Sequence, residues 1–294
     1  MQWKENGLTQ YLLAPFRFLI DWLVRFIEDD GLASAGYLAY LGLMSLLPFL
    51  VFVFTLLGLI GRADEGAGIV DMMFRFMPTE VALTLQEPVV QVVGTASGGV
   101  LTLSLVVVLW IAASGVEGIR TALNRAYRAR ETRGYWRRRA NSSVLVIFFS
   151  GFIIIAIGCM VIGPLLWQQA EGYLDFGISL GPSQFPEIIR FGAGGGALFI
   201  ATAALYHSLP NRQPSWIGVI PGAAAVFVMV AGATSLYSVY LEHFAQYAAI
   251  YGSLGGIIST LIFFYLLGAI FVLGAELNGM LSEIYDERKE GKQE

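Results

Sequence analysis

Cysteine and histidine are almost missing from this chain of 294 residues, which holds one cysteine, Cys159, and two histidines, His207 and His243. A single thiol excludes an internal disulfide and a cysteine-rich metal site, and Cys159 lies in an apolar run where packing is its expected role. Charge is scarce as well. Asp, Glu, Lys and Arg make up 14% of the residues and the mean hydropathy is +0.66, whereas soluble domains are roughly a quarter charged. The formal net charge of −4 excludes a generally basic nucleic-acid binder. The start, MQWKENGLTQ, lacks a short apolar core ending in a small-residue cleavage site, so no cleaved signal peptide is expected.

What the chain does have is long apolar runs. A hydrocarbon core of roughly 30 Å needs about 20 apolar helical residues to cross it. Windows of this kind lie near Ala35–Gly61, Gly98–Val116, Ser143–Trp167, Phe191–Tyr206 (extendable to Leu209), Trp216–Val239 and Tyr251–Ala275, none with a charge in its middle. Pro48 should kink or tilt the first. The basic residues then orient the chain. With the N-terminus inside, the inner segments hold Lys4, Arg17, Arg25, Arg212, Arg288, Lys289, Lys292 and the eight arginines of RTALNRAYRARETRGYWRRRA, residues 120–140. The outer loops hold only Arg62, Arg75 and Arg190, so fifteen of the 18 basic residues fall inside.

Ahead of the first window, Arg17, Asp21, Arg25 and Glu28 follow one helical face, and Pro15 suits a first turn. This segment reads as an amphipathic helix in the interface or docked under the bundle. The first outer loop, Arg62–Ser97, carries Asp64, Glu65, Asp71, Glu80 and Glu87 among apolar clusters, and short helices are expected there. The loop QQAEGYLDFGISLGPSQFPE is punctuated by Gly and Pro and reads as irregular. The expectation is therefore an all-α polytopic membrane protein with six transmembrane helices and both termini cytoplasmic. An N-terminal segment with the interfacial helix covers residues 1–34 and a cytoplasmic tail covers 276–294. Between them lies one transmembrane domain, 35–275, with spans near 35–61, 98–116, 143–167, 191–209, 216–239 and 251–275.

That topology decides how the arginine-rich segment is read. Alone it resembles an RNA-binding tract, and Tyr127, Tyr135 and Trp136 could stack on bases. Between two spans it is first a topological anchor, with its aromatics in the interfacial belt. Arg128, Arg133, Arg137, Arg138 and Arg139 are candidate contacts for anionic headgroups of the cytoplasmic leaflet. Nuclease chemistry lacks its ligands. His207 and His243 fall on opposite sides of the membrane, and Glu117 and Glu131 form no paired carboxylates or metal-ligand spacing. No metal, no cofactor and no nucleic-acid partner are expected.

A sharper cluster lies at the cytoplasmic mouth. Glu117, Arg120 and Asn124 share one stripe continuing the second span, while Glu276 and Asn278 end the sixth and Asn211 follows the fourth. Acids at a span end are costly unless paired or facing water. Glu276 and Glu117 are therefore expected to pair with Arg120 or another loop arginine, as an ion-pair lock or as a gate. Small residues at Gly192/Gly196, Gly218/Gly222 and Gly252/Gly256 suit close helix contact, within the bundle or between copies in a homo-oligomer. Tyr37, Tyr40, Tyr206, Tyr237, Tyr240, Tyr251 and Tyr265, with Ser45 and Ser253, are either cavity-lining points or interfacial anchors.

Several segments together resemble the YihY/BrkB family of bacterial inner-membrane proteins, historically labelled ribonuclease BN. They are AGYLAYLGLMSLLPFL, ALNRAYRAR with YWRRR, LYHSLPNRQPSWIGVIPGA, SLYSVYLEHFAQYAAIYGSLGGII and LGAELNGML, in family order. Two features depart from the usual pattern: His207 after LY, and the glycine-rich fourth span. The resemblance implies six helices with both ends inside, a misassigned ribonuclease label, and roles in lipid or small-molecule transport or envelope maintenance. It supplies no catalytic residues. The expected function is a non-enzymatic transporter or flippase-like protein for a lipid or another amphipathic envelope component, in the bacterial cytoplasmic membrane. A non-transporting envelope scaffold is the alternative.

Overall fold

The computed structural model describes residues 7–60, 101–152, 185–212, 214–251 and 253–290. The expected helices of the first outer loop, the irregular loop after the third span up to residue 184, Cys159 and the Gly252 position lie outside them, as does the side chain of His243; the last three residues of that loop, Phe185, Pro186 and Glu187, are helical instead. All regular structure among the described residues is helical: α1 Gly7–Glu28, α2 Gly31–Ile60, α3 Leu101–Ala126, α4 over 135–152, α5 Phe185–Ser208, α6 Trp216–Tyr251 and α7 Ser253–Glu290. Within them, Val106–Ala126, Trp216–Tyr237 and Gly255–Asp286 are long and apolar enough to cross a membrane, and Gly31–Leu46 is a shorter apolar stretch.

Several boundaries differ from the hydropathy windows, because helix geometry continues where apolar composition stops. α3 runs past Val116 to Ala126 and carries Glu117, Arg120 and Asn124 on the expected continuing stripe. α7 continues unbroken past Ala275 to Glu290. α6 extends to Tyr251, so the backbone of His243 is helical, not in a short outer loop.

α7 is the centre of the arrangement, packing on α1, α2, α3 and α6, while α2 also packs on α3, and α5 on α6. The largest core cluster joins Leu123 and Ala126 of α3, Tyr206 of α5, Val219, Ala223 and Val226 of α6, and Ile270 and Ala275 of α7. A second joins Phe52, Ala112, Ala113 and Val146, and a third joins Phe26, Ala122 and Val272. Apolar side chains elsewhere face outward, among them Val106, Val107, Ile147, Phe148, Phe227, Val228, Leu236 and Ile257. An apolar exterior around a small core is what a lipid-facing bundle requires.

Close approach of α6 and α7 depends on two glycines. A Cβ on Gly222 would collide with the Gly274 carbonyl oxygen, and one on Gly274 would stand 2.5 Å from Val226. The Gly218/Gly222 face thus serves the bundle interior at Gly222. Gly192 and Gly196 meet open space. Pro221 interrupts the amide ladder of α6. Asn278 of α7 bonds the α6 backbone on either side of this proline, accepting from the Gly222 N–H at 2.7 Å and donating to the Val219 carbonyl at 3.2 Å.

Both tight connections at this end use non-glycine residues with positive φ. Asp30, at φ 57°, turns α1 into α2. Arg128, at φ 49°, ends α3 in a Schellman motif. There the Ala129 N–H bonds the Asn124 carbonyl at 2.7 Å and the Arg128 N–H bonds the Arg125 carbonyl at 2.8 Å. Glycine would adopt that backbone without the roughly 1–2 kcal/mol cost borne by other residues.

Candidate functional site

The amphipathic segment folds as α1 and has three sides. Trp22, Arg25 and Phe26 turn toward the bundle. Phe16, Leu19, Ile20, Leu23, Val24 and Ile27 are exposed on the far side. Arg17, Asp21 and Glu28 are exposed too. Arg25 therefore leaves the charged face expected for it. The Trp22 Nε1–H donates to the Leu273 carbonyl at 2.9 Å, which seats α1 on α7.

Arg25 is the hub of the buried charges. Its Nε donates to Glu276 at 3.0 Å, Nη1 and Nη2 donate to Glu283 at 2.6 and 3.0 Å, and Nη2 reaches the Ala126 carbonyl at 3.4 Å. One guanidinium so ties α1 to α7 and to the end of α3. Burial alone would weaken its charge, but the bonds to Glu283 and Glu276 outweigh this and raise its pKa. Glu276 is fully buried, and its Oε1 receives no hydrogen bond from the described residues.

The expected pairing of Glu276 with Arg120 is corrected by this geometry. Arg120 is taken instead by Glu117, one turn before it, at 2.6 Å, and it also donates to the Arg138 carbonyl at 3.2 Å. Ser142 of α4 donates to the same Glu117 oxygen at 2.8 Å. Glu276 faces the α1 side of α7, so the nearer cation wins.

A third knot joins the arginine-rich loop to the turn between α5 and α6. Asn124 donates to Glu131 at 2.9 Å and accepts from the Asn211 N–H at 2.8 Å. The Asn211 amide donates to the Arg130 carbonyl at 2.7 Å and to Thr132 at 3.0 Å. Arg133 holds Glu131 through Nε at 2.9 Å and Nη2 at 3.0 Å, and the same Nη2 donates to the Leu209 carbonyl at 2.7 Å. Burial would raise the Glu131 carboxyl, but the Arg133 and Asn124 bonds outweigh it and hold it at about 2. His207 is structural at this turn, with Nδ1 2.7 Å from the Pro214 carbonyl and its ring stacked on Trp216.

The five expected headgroup arginines divide. Arg139 is buried: it lies 4.2 Å over the Trp110 ring and donates to the Trp110 carbonyl and to Ser114. Arg133 is committed to Glu131. Arg128 reaches Asp29 at 2.9 Å from an exposed position. Arg137 is exposed, and Arg138 is half-buried. Of the tyrosines, Tyr206 and Tyr237 are buried and donate to the Phe271 and Ser259 carbonyls of α7, whereas Tyr37, Tyr40, Tyr240 and Tyr265 are exposed.

Sequence reasoning places Glu117, Arg120, Asn124, Asn211, Glu276 and Asn278 at one end; the structure puts the first five in three separate knots and Asn278 on the α6 backbone. It misses the roles of Arg25, Glu283 and Trp22. A signal was present: Glu276 and Glu283 are seven residues apart on one face of α7, which calls for a cation from another element.

These features define an all-helical membrane protein whose helices are tied together at an arginine-rich end. The model of the family described as "Virulence factor BrkB" matches residues 22–294, and the chain belongs to that family. It is similar to the "Putative ribonuclease-like protein YfkH" of Bacillus subtilis, 31% identical over 90% of this chain and 94% of the relative. It is also similar to a "UPF0761 membrane protein" of Pseudoalteromonas atlantica, 28% identical over 94% of this chain and 89% of the relative. A third relative, a "UPF0761 membrane protein" of Tolumonas auensis, is 29% identical over 96% of this chain and 90% of the relative. No solved structure matches.

Proposed function

We propose that the chain is a six-span protein of the bacterial cytoplasmic membrane, with both termini inside, that moves a lipid or another amphipathic envelope component. Its arginine-rich end is the cytoplasmic gate. The observation carrying this reading is the seat of α1. Its inner side supplies Arg25 to two carboxylates of α7, and its outer side is apolar and exposed. A helix whose outer side lies in the lipid interface can shift as a unit. If α1 withdraws, the Arg25 bonds to Glu276, Glu283 and Ala126 break together, which makes a two-state element rather than a graded one. The lack of charge in the middle of the apolar windows suits an apolar cargo.

The test is flux in liposomes containing the purified full chain, followed with fluorescent lipids. Glu276→Gln, alone and combined with Arg25→Gln so that no fully buried carboxylate is left without its cation, is expected to change the rate of lipid movement while helicity stays normal. Unchanged flux in both variants eliminates the gate. Absence of flux from a folded wild type, across lipid classes, leaves the scaffold reading. The ribonuclease-like name of the Bacillus relative finds no counterpart in this reading. Among the described residues no three His, Cys, Asp or Glu side chains gather to hold a metal ion, and Glu117 and Glu131 are each bound to an arginine.

A further inference from the structure

Between the end of α3, the arginine-rich loop and the start of α4 lies a cavity of about 490 Å³. Arg120, Arg125, Arg128, Arg130 and Arg138 line it, and Glu131 is its one acidic lining residue. Glu131 is already held by a sixth arginine, Arg133. Arg120 is 1% exposed, and its Nε and Nη2 have no hydrogen-bond partner among the described residues, nor has the Nε of Arg138. Buried guanidinium N–H groups left unmade cost stability, so these donors want an acceptor.

The nearby carboxylates do not supply enough. Glu117 takes Arg120, Asp29 takes Arg128, and Asp30 stands 4.0 Å from Arg125. Arg130 and Arg138 have no carboxylate within that distance among the described residues. The lining thus carries positive charge in excess, in forks that match tetrahedral oxyanions.

We propose that this cavity is a binding site for a phosphate monoester group, with Arg120 at its floor and Arg130 and Arg138 as its uncommitted cations. The site is separate from the Arg25–Glu276 knot, and it stands whether or not the chain moves a lipid. The phosphate can belong to a lipid headgroup or to a soluble molecule, and the chemistry of recognition is shared.

The experiment uses the full chain in nanodiscs, at constant ionic strength. One arm measures binding of glycerol 3-phosphate by calorimetry in phosphatidylcholine discs. The other compares retention of phosphatidic acid with phosphatidylcholine by native mass spectrometry. The proposal expects saturable binding in at least one arm, and the arm identifies the source. Arg130→Gln with Arg138→Gln, the first exposed and the second half-buried, is expected to weaken that binding by about tenfold or more. Arg137→Gln, which removes an exposed arginine outside the lining, is expected to leave it unchanged. Arg120→Gln would abolish binding but threatens folding, so the double variant is the decisive one. No saturable binding in either arm overturns the site. An equal loss from Arg137→Gln also overturns it, because general charge attraction would then suffice.

Discussion

Arg25 and Arg212 both reach carboxylates in the last turns of α7, yet they belong to different physical regimes. The Arg25 side chain is 8% exposed and meets a Glu276 that is 0% exposed, whereas Arg212 and Asp286 are 46% and 51% exposed. Coulomb attraction is present in both pairs, but water screens the second and is excluded from the first. The two pairs separate the contacts that hold α7 from those that only decorate its end.

The sharpest way to break this contrast is Arg25→Ala. It leaves Glu276 buried without its cation, and a loss of about 3–5 kcal/mol is expected, read as a large fall in thermal midpoint in detergent. Restoring much of the loss by adding Glu276→Leu would show that the cost lies in the stranded charge. A buried but uncharged contact should fall in between. Asn278→Ala removes its bonds to the Gly222 N–H and the Val219 carbonyl, and a loss of about 1–3 kcal/mol is expected from the same melting curves. Arg212→Ala should cost no more than about 1 kcal/mol, and that little should vanish in high salt. A loss as large as that of Arg25→Ala would erase the distinction.

A further contrast concerns pH. The folded Glu131 carboxyl lies at about 2, below its ordinary 4.5. Its contribution is therefore complete above about pH 4.5 and drains away as pH falls toward 2. Melting points of wild type and Glu131→Gln should diverge above that window and converge within it. A constant difference down to pH 2 would contradict the pairing with Arg133.

Much of this end is legible in the sequence. The i, i+3 pair of Glu117 and Arg120 follows from helical spacing alone, and the structure contains it at 2.6 Å. The expected partner of Glu276 is wrong because the arginine-rich loop is dense in cations, while the single arginine that reaches it comes from α1. Arg139 reads as a lipid contact, and it is buried over Trp110 because α4 turns its first residues toward α3. Asn278 reads as a mouth residue, and it bonds the α6 backbone on either side of Pro221. Residue type announces polar need in each case, but the partner depends on packing.

Apolar run length, helical period and the placement of arginines are properties of short stretches. They suffice for a helical membrane protein with one basic end, because partition into lipid and charge bias are local sums over neighbouring residues. The knot between Arg25 and Glu276 spans 251 positions, and no periodicity reaches that far. It exists because α1 folds back along α7, where the Trp22 bond and the Phe26 contact bring a guanidinium to a carboxylate that water cannot serve. The arginine-lined cavity has the same origin. Three segments must close around it before Arg120 is buried with its donors unmet.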